Sequence, residues 1–345
     1  MISCVIHAAG DLRLEQRERR EPGAGMVRLK LAAGGICGSD LHYFKSGAVG
    51  EILLREPLVL GHEIAGIVDA IGEGVEGLAP GTPVAVNPSR PCNACRFCLA
   101  GKRNHCENML FNGSAMYMPH TQGLFEQFPI VEARQCRPVP AGLEPALAAL
   151  AEPFAVTLHA VERAGPLVGR HVLVTGAGPI GCLAVAAARI AGAAYITAVD
   201  LLDAPLKTAS ALGADDVIAL SGDTGRLEAM GAGKGSVDVT IECSASLKAL
   251  EAAVAATRPQ GVIVQVGALP GGPQPILGNR IMAKELELRG SMRFDPEFDM
   301  ALELMGSGRV DLRPLLSHSL PLDDARKAFE LALDRNQAMK VQLVA

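Results

Sequence analysis

The sequence predicts an α/β protein of two domains: a mostly β first domain with long loops, then a doubly wound parallel sheet covered by helices. Three observations point there. Residues 1 to about 145 carry short β-like runs, Val27–Leu31, Ala65–Ala70 and Thr82–Val86, among frequent Gly and Pro. From about 155 the texture changes to HVLVTGAGPIGCLAVAAARIAGAAYITAVD, an apolar strand, a glycine turn, an alanine-rich helix and a second strand. The later runs DDVIAL, SVDVTIECS and GVIVQVG are apolar and β-branched, and alternate with helix-like Ala204–Leu212 and Ala245–Thr257. Strands that alternate with helices imply parallel βαβ units.

The first domain is expected to span 1–150 and the parallel-sheet domain 151–284. Near Lys284 the rhythm breaks at GSMRFDPEF and LLSHSLP, so 285–345 is expected to return to the first domain. At 345 residues and 49% hydrophobic, the chain can build both cores. A net charge of −5 without a basic block argues against nucleic acid or an anionic membrane as partner. The N-terminus lacks a basic segment leading into a long apolar run. The most apolar stretches are interrupted by Glu144, Glu152 and two prolines in one case and by Arg189 in the other, so neither reads as a membrane span. A soluble, cytoplasmic protein is the expectation.

Cys92, Cys95, Cys98 and Cys106 form a C-x2-C-x2-C-x7-C run, here placed in a lobe at 88–110. Four thiolates on a tight loop make the tetrahedral cage of a closed, structural Zn²⁺ site. Disulfides are the competing reading, but nothing else in the chain argues for an oxidising compartment. His105, beside Cys106, reads as a bystander.

Gly176, Gly178 and Gly181 make G-x-G-x-x-G after the strand Val172–Thr175, with Pro179 and Ile180 opening the helix. The first glycine turns the chain, the second admits a pyrophosphate, and the third lets helix and strand pack closely. Asp200 ends the next strand nineteen residues after Gly181, where an acid binds the adenosine ribose hydroxyls and repels a 2′-phosphate. Leu201 and Leu202 follow, with no Arg to receive that phosphate. A Rossmann domain that prefers NAD, with NADP the alternative, is expected. Val266 and Gly267, after a later strand, are placed in the same site.

Gly61-His62-Glu63 opens GHEIAGIVDAIGEGV, which matches G-H-E-x2-G-x5-G-x2-V at every fixed position, and GGICGSDLHYF stands upstream with Cys37, Ser39 and His42. With the cysteine lobe and glycine motif added, the whole chain resembles the zinc-dependent medium-chain alcohol and polyol dehydrogenases. That resemblance implies a GroES-like first domain and a second, catalytic zinc. It implies Cys37 and His62 as ligands with a carboxylate third, Glu63 or Glu152; which of the two binds directly stays open. Ethanol-type relatives usually carry a cysteine where Glu152 stands, so the chain sides with the polyol branch. An open metal position acidifies an alcohol hydroxyl and favours hydride loss from its carbon. Ser39 and His42 are implied as the relay that carries the proton to solvent through the nicotinamide ribose, in keeping with the near-neutral pKa of histidine. Asp40 reads as a loop-holding residue.

Substrate contacts are expected from Tyr43, Phe111, Met116, Tyr117, His120, Arg293 and Phe294. An arginine hydrogen-bonds hydroxyls or pairs with a carboxylate. The loops VNPSRPC, FNGSAMYMPH, VIVQVG and GSMRF and the terminal KVQLVA look closest to the branch that oxidises the sugar acid L-idonate. Neutral polyols such as sorbitol or xylitol are the alternative. The family also implies a homo-oligomer, a dimer or a tetramer.

Overall fold

The computed structural model describes residues 1–345. A seven-stranded sheet organises the first domain, in the order Cys136–Pro138, Pro83–Val86, Glu63–Ile71, Met26–Gly35, Lys340–Val344, Leu316–Pro321, with Ile130–Glu132 also paired to Met26–Gly35. Its central strands are apolar and β-branched, and Leu29, Ile64, Val86 and Phe125 are buried beneath Phe329 of the C-terminal helix Ala325–Leu333. Each such buried side chain contributes about 1.5–3 kcal/mol. A small sheet formed by Ile2–Ala8, Asp11–Gln16 and Leu58–Val59 closes one side.

The second sheet has six parallel strands in the order Asp216–Ala219, Tyr195–Asp200, His171–Thr175, Val237–Glu242, Thr257–Gln265, Glu287–Gly290. Val172, Leu173 and Val174 are fully buried, as strands covered on both faces require. The helix Pro179–Ile190 is buried from Gly181 through Ala188, between this sheet and the helix Ala151–Ala164. Its alanines allow that close approach. The strand order reverses between His171–Thr175 and Val237–Glu242, which opens a crevice at their C-terminal ends. No helix is long and apolar enough to cross a membrane.

The expected boundary at 284 needs correction. Glu287–Gly290 pairs in parallel with Thr257–Gln265, so the chain stays in the second sheet through Gly290. The helix Glu297–Gly306 then packs against Ala151–Ala164, and only Leu316–Pro321 and Lys340–Val344 rejoin the first sheet. The strand Glu287–Gly290 is short and mostly exposed, which leaves it without the apolar run that marks its neighbours.

Candidate active site

Strand pairing assembles the catalytic cluster. Met26–Gly35 runs antiparallel to Glu63–Ile71 with Gly35 opposite Glu63, so Cys37 and His62 emerge at the same sheet end. Gly35 is obligatory there, since a Cβ would fall 2.0 Å from a Glu63 carboxylate oxygen. Asp40, in the first turn of the helix Gly38–Ser46, ties the two loops by accepting from the Cys37 amide (2.9 Å) and the Gly61 amide (3.2 Å). Its role is structural, as expected from the sequence.

The ligand atoms of Cys37, His62 and Glu63 all lie within 4.8 Å of one another. His62 Nδ1 is buried without a hydrogen-bond partner, 3.8 Å from Asp40, and the ring packs on Phe111 at 5.4 Å. A thiol, an imidazole and a carboxylate whose ligand atoms come this close form a donor set that fits zinc. Glu152, in the first turn of Ala151–Ala164, is buried beside them. Burial pushes its pKa up to about 8, with the His62 charge working against that and Glu63 and Cys37 adding to it. Burial likewise pushes the Cys37 thiol up to about 12, with the Glu63 charge adding to it.

The two glutamates left open by the sequence are not equivalent. Both Glu63 oxygens accept from Lys340 Nζ, at 2.7 and 2.8 Å, and the ammonium also donates to the Ile36 carbonyl at 3.2 Å. Burial disfavours the charge on Lys340, but Glu63 and Cys37 outweigh it, and its pKa ends above the usual lysine value. Glu152 has no such ion-pair partner. Lys340 could not have been found from sequence, because it lies 277 residues from Glu63 in a terminal strand.

Ser39 lies two residues after Cys37 in the first turn of the helix Gly38–Ser46, where it draws the Cys37 pKa slightly down, and His42 stands exposed three residues on, along the same helix. The two therefore lead from the buried cluster toward solvent.

The cysteine lobe forms as expected. All four sulfurs lie within 4.8 Å of one another, all nine cysteines are free, and Cys92 Sγ stands 4.0 Å from Cys98 Sγ. Zn–S bonds of about 2.3 Å give a tetrahedron edge of about 3.8 Å, so the cage has zinc dimensions. Amides of Ala94 and Cys95 pull the Cys92 thiol down to about 6, whereas burial pushes Cys98 up to about 12. His105 lies outside the cage. The lobe also braces the Arg293 turn: Arg103 pairs with Asp295 at 2.9 Å, and Asn104 donates to the Met292 carbonyl at 3.1 Å.

In the second domain, Gly176 takes φ +84°, and a Cβ at Gly181 would fall 1.7 Å from the Gly176 carbonyl oxygen. Gly178 caps the helix and Pro179 fills its first position, where no amide donor is needed. Asp200 is buried at its strand end; it accepts from the Ala177 amide at 2.7 Å and the Leu202 amide at 3.1 Å, so it also holds the glycine loop. The amides of Val266 and Gly267 both donate to the Glu242 carbonyl at 2.9 Å, at the crevice.

The proposed substrate contacts separate into two groups. Arg293, in left-handed backbone, stacks on Phe111 at 4.6 Å; burial lowers its pKa, against the charge of nearby Glu152. Tyr117 is part-exposed and donates to the Glu107 carbonyl; Met116 is exposed nearby. Tyr43, by contrast, is a core residue whose hydroxyl accepts from the Ala115 amide. Phe294 is buried against Phe298. His120 is committed to loop backbone: its Nε2 accepts from the Arg55 amide at 2.9 Å and its Nδ1 bonds the Tyr117 carbonyl at 2.8 Å. No ring nitrogen of His120 remains for a substrate.

This geometry meets its relatives in sequence. Residues 23–141 match the alcohol dehydrogenase GroES-like domain, and residues 179–307 match the zinc-binding dehydrogenase domain. The chain belongs to the zinc-binding, NAD(P)-dependent medium-chain dehydrogenases and to their polyol branch. It is 41% identical to the L-idonate 5-dehydrogenase (NAD(P)(+)) of Escherichia coli K12, over 92% of this chain and 91% of that one. It is 36% identical to the sorbitol dehydrogenase of Gallus gallus, over 99% and 96%. The crystal structure of the Escherichia coli L-idonate 5-dehydrogenase superposes with a TM-score of 0.94 at 38% identity, covering 100% of this chain and 98% of that one. A protein of Sinorhizobium meliloti 1021 described as a zinc-binding dehydrogenase and bound to NADP superposes at 0.91 and 28%, covering 100% and 99%.

Proposed function

We propose that this chain oxidises the C5 hydroxyl of L-idonate to the ketone, giving 5-keto-D-gluconate, with NAD as the preferred hydride acceptor. The observation that carries the substrate is Arg293, a half-buried guanidinium stacked on Phe111, which in turn packs on His62. A cation there offsets the carboxylate of a sugar acid, which would otherwise be costly to bury. Phe111 and Tyr117 supply the remaining wall.

Cys37, His62 and Glu63, whose ligand atoms lie within 4.8 Å of one another, are the residues assigned to a catalytic zinc, with Glu63 also paired to Lys340 and Glu152 buried beside them as a further carboxylate. Zinc held there supplies Lewis-acid polarisation of the alcohol. A nicotinamide held in the crevice beside Val266 and Gly267 would supply the acceptor for the hydride of the substrate carbon. Ser39 would accept the hydroxyl proton and His42, exposed on the same helix, would release it to solvent. Cys92, Cys95, Cys98 and Cys106 hold the structural zinc and keep the Arg293 turn in place.

The chain is also assigned to the cytoplasm as a homo-oligomer, a dimer or tetramer. In support, its cysteines are free, and the edge strand Glu287–Gly290 is open, with Met282, Leu288 and Met292 exposed beside it. The test of substrate is a rate comparison of L-idonate, D-gluconate, sorbitol and xylitol with both nicotinamide cofactors. L-Idonate with NAD is expected to give the highest kcat/KM. A preference for sorbitol would replace the sugar-acid reading with the neutral-polyol one, with which the 36% identity to a sorbitol dehydrogenase is consistent.

A further inference from the structure

The helix Ala151–Ala164 carries Glu152 in its first turn and His159 two turns further along the same face, about 10 Å away at about 1.5 Å per residue. There His159 and Glu162 meet Glu297, which opens the helix Glu297–Gly306. His159 Nδ1 stands 2.7 Å from Glu297 Oε1 and 3.9 Å from Glu162 Oε2, and the ligand atoms of all three lie within 4.8 Å of one another. The Glu297 side chain is 2% exposed, and its other oxygen accepts from the Asp295 amide at 2.8 Å. The Glu162 side chain is 71% exposed and closes the cluster from the solvent side. Neither carboxylate has a lysine or arginine within ion-pair distance; Arg163, next in sequence, gives its Nε to the Gly290 carbonyl at 3.1 Å. Short of positive charge, the two carboxylates crowd each other. A hydrogen bond with Glu297, together with burial and the Glu297 charge, pushes the Glu162 carboxyl above its ordinary value, against His159 and Arg163.

We propose that His159, Glu162 and Glu297 bind a divalent cation of the zinc and manganese class, at a third metal site apart from the catalytic cluster and the cysteine lobe. One imidazole nitrogen and two carboxylate oxygens form a donor set that such ions accept. Bonds of about 2.0–2.2 Å to a tetrahedral zinc place ligand atoms about 3.3–3.5 Å apart. That spacing falls between the 2.7 and 3.9 Å found here, and the exposed Glu162 arm is free to swing in. The imidazole carries its proton on Nε2, so the Nδ1 lone pair faces the ion. The ion also displaces the proton that two crowded carboxylates would otherwise share. The Asp295 amide fixes the second Glu297 oxygen, the kind of outer contact that orients a carboxylate ligand. No thiolate takes part, which separates this site chemically from the other two. Because Asp295 lies two residues from Arg293, the ion ties the Arg293 turn to the helix that carries Glu152.

The test uses the zinc-loaded full chain with Mn²⁺ as probe, since Mn²⁺ suits carboxylates whereas thiolate sites select zinc. Electron paramagnetic resonance reads free Mn²⁺ during titration, and metal analysis follows the zinc. The wild type is expected to bind a single Mn²⁺ per chain while its zinc stays in place. Glu162→Gln, at an exposed position that leaves folding intact, should weaken Mn²⁺ by about tenfold or more, at least the effect of losing an outer contact to a metal ligand. His159→Gln should do the same. Mn²⁺ should raise the melting temperature of the wild type and leave that of Glu162→Gln unchanged. A wild type without saturable Mn²⁺ binding up to about 1 mM, the weak end of protein divalent-cation sites, overturns the proposal. Equal binding by the wild type and both variants overturns it as well, as does Mn²⁺ that enters only as zinc leaves. None of these outcomes depends on the substrate assignment.

Discussion

Replacing Lys340 with Met should destabilise this protein more than any other single surface-distant charge change, because it strands Glu63. Lys340 and Glu63 are 3% and 1% exposed at their side chains, and both carboxylate oxygens take their hydrogen bonds from one ammonium. Removing one partner of a buried pair costs about 3–5 kcal/mol, most of it the desolvation of the charge left behind. Unfolding entropy of about 2.1 cal/mol/K per residue, over 345 residues, amounts to roughly 0.7 kcal/mol/K. The melting temperature should therefore fall by about 4–7 °C. Adding Glu63→Gln to Lys340→Met should recover at least half of that loss, since the stranded charge is then gone. Calorimetric melting of wild type, both single variants and the double variant, before and after chelation, measures it. The loss should be larger after chelation, because a cation beside Glu63 offsets part of its charge. A Lys340→Met protein within about 1 °C of wild type, or a double variant no more stable than the single, would refute the reasoning.

Cys37→Ser should abolish turnover while NADH still binds, whereas Cys95→Ser should leave the catalytic cluster in place and lower the melting temperature; one zinc should be lost in each case by metal analysis. Arg293→Leu should reduce kcat/KM for L-idonate about ten- to hundredfold and for sorbitol by less, the worth of one charge-assisted hydrogen bond being roughly 1.5–3 kcal/mol; equal losses would mean that Arg293 reads hydroxyls alone. Because the cysteine lobe braces that turn, Asn104→Ala should raise KM for L-idonate a few-fold at unchanged kcat, and an unchanged KM would remove the lobe from substrate positioning. Glu297 sets an acid-range test. Burial raises its pKa, but hydrogen bonds led by His159 hold it at about 2, against an ordinary 4.5. A depressed carboxylate stabilises the fold above its unfolded pKa, and that stability is lost as pH falls from about 4.5 toward 2. Discounted for partial solvent screening, Glu297→Gln should cost about 1–2 kcal/mol at neutral pH and almost nothing near pH 2, which urea unfolding across pH will measure.

Much of the protein was legible in the chain because its chemistry is local. The glycine turn, the four-cysteine lobe and the Gly-His-Glu run each place their groups within a few residues, so spacing alone sets their geometry. The alternating strands and alanine-rich helix declared the parallel sheet because burial on both faces demands continuous apolar runs. What the tertiary structure alone decided are contacts between distant segments. Lys340 neutralises Glu63 and so distinguishes two glutamates that sequence treats alike. Arg335 reaches Asp200 where the neighbouring leucines had suggested no cation. His120, in a loop, and Tyr43, on the helix Gly38–Ser46, both near site candidates, prove to satisfy backbone groups, since a buried amide must find a partner and these side chains stood within reach. A linear motif records which groups a site needs; which distant side chains balance their charge depends on the strand order that brings the C-terminal segment back across the first domain.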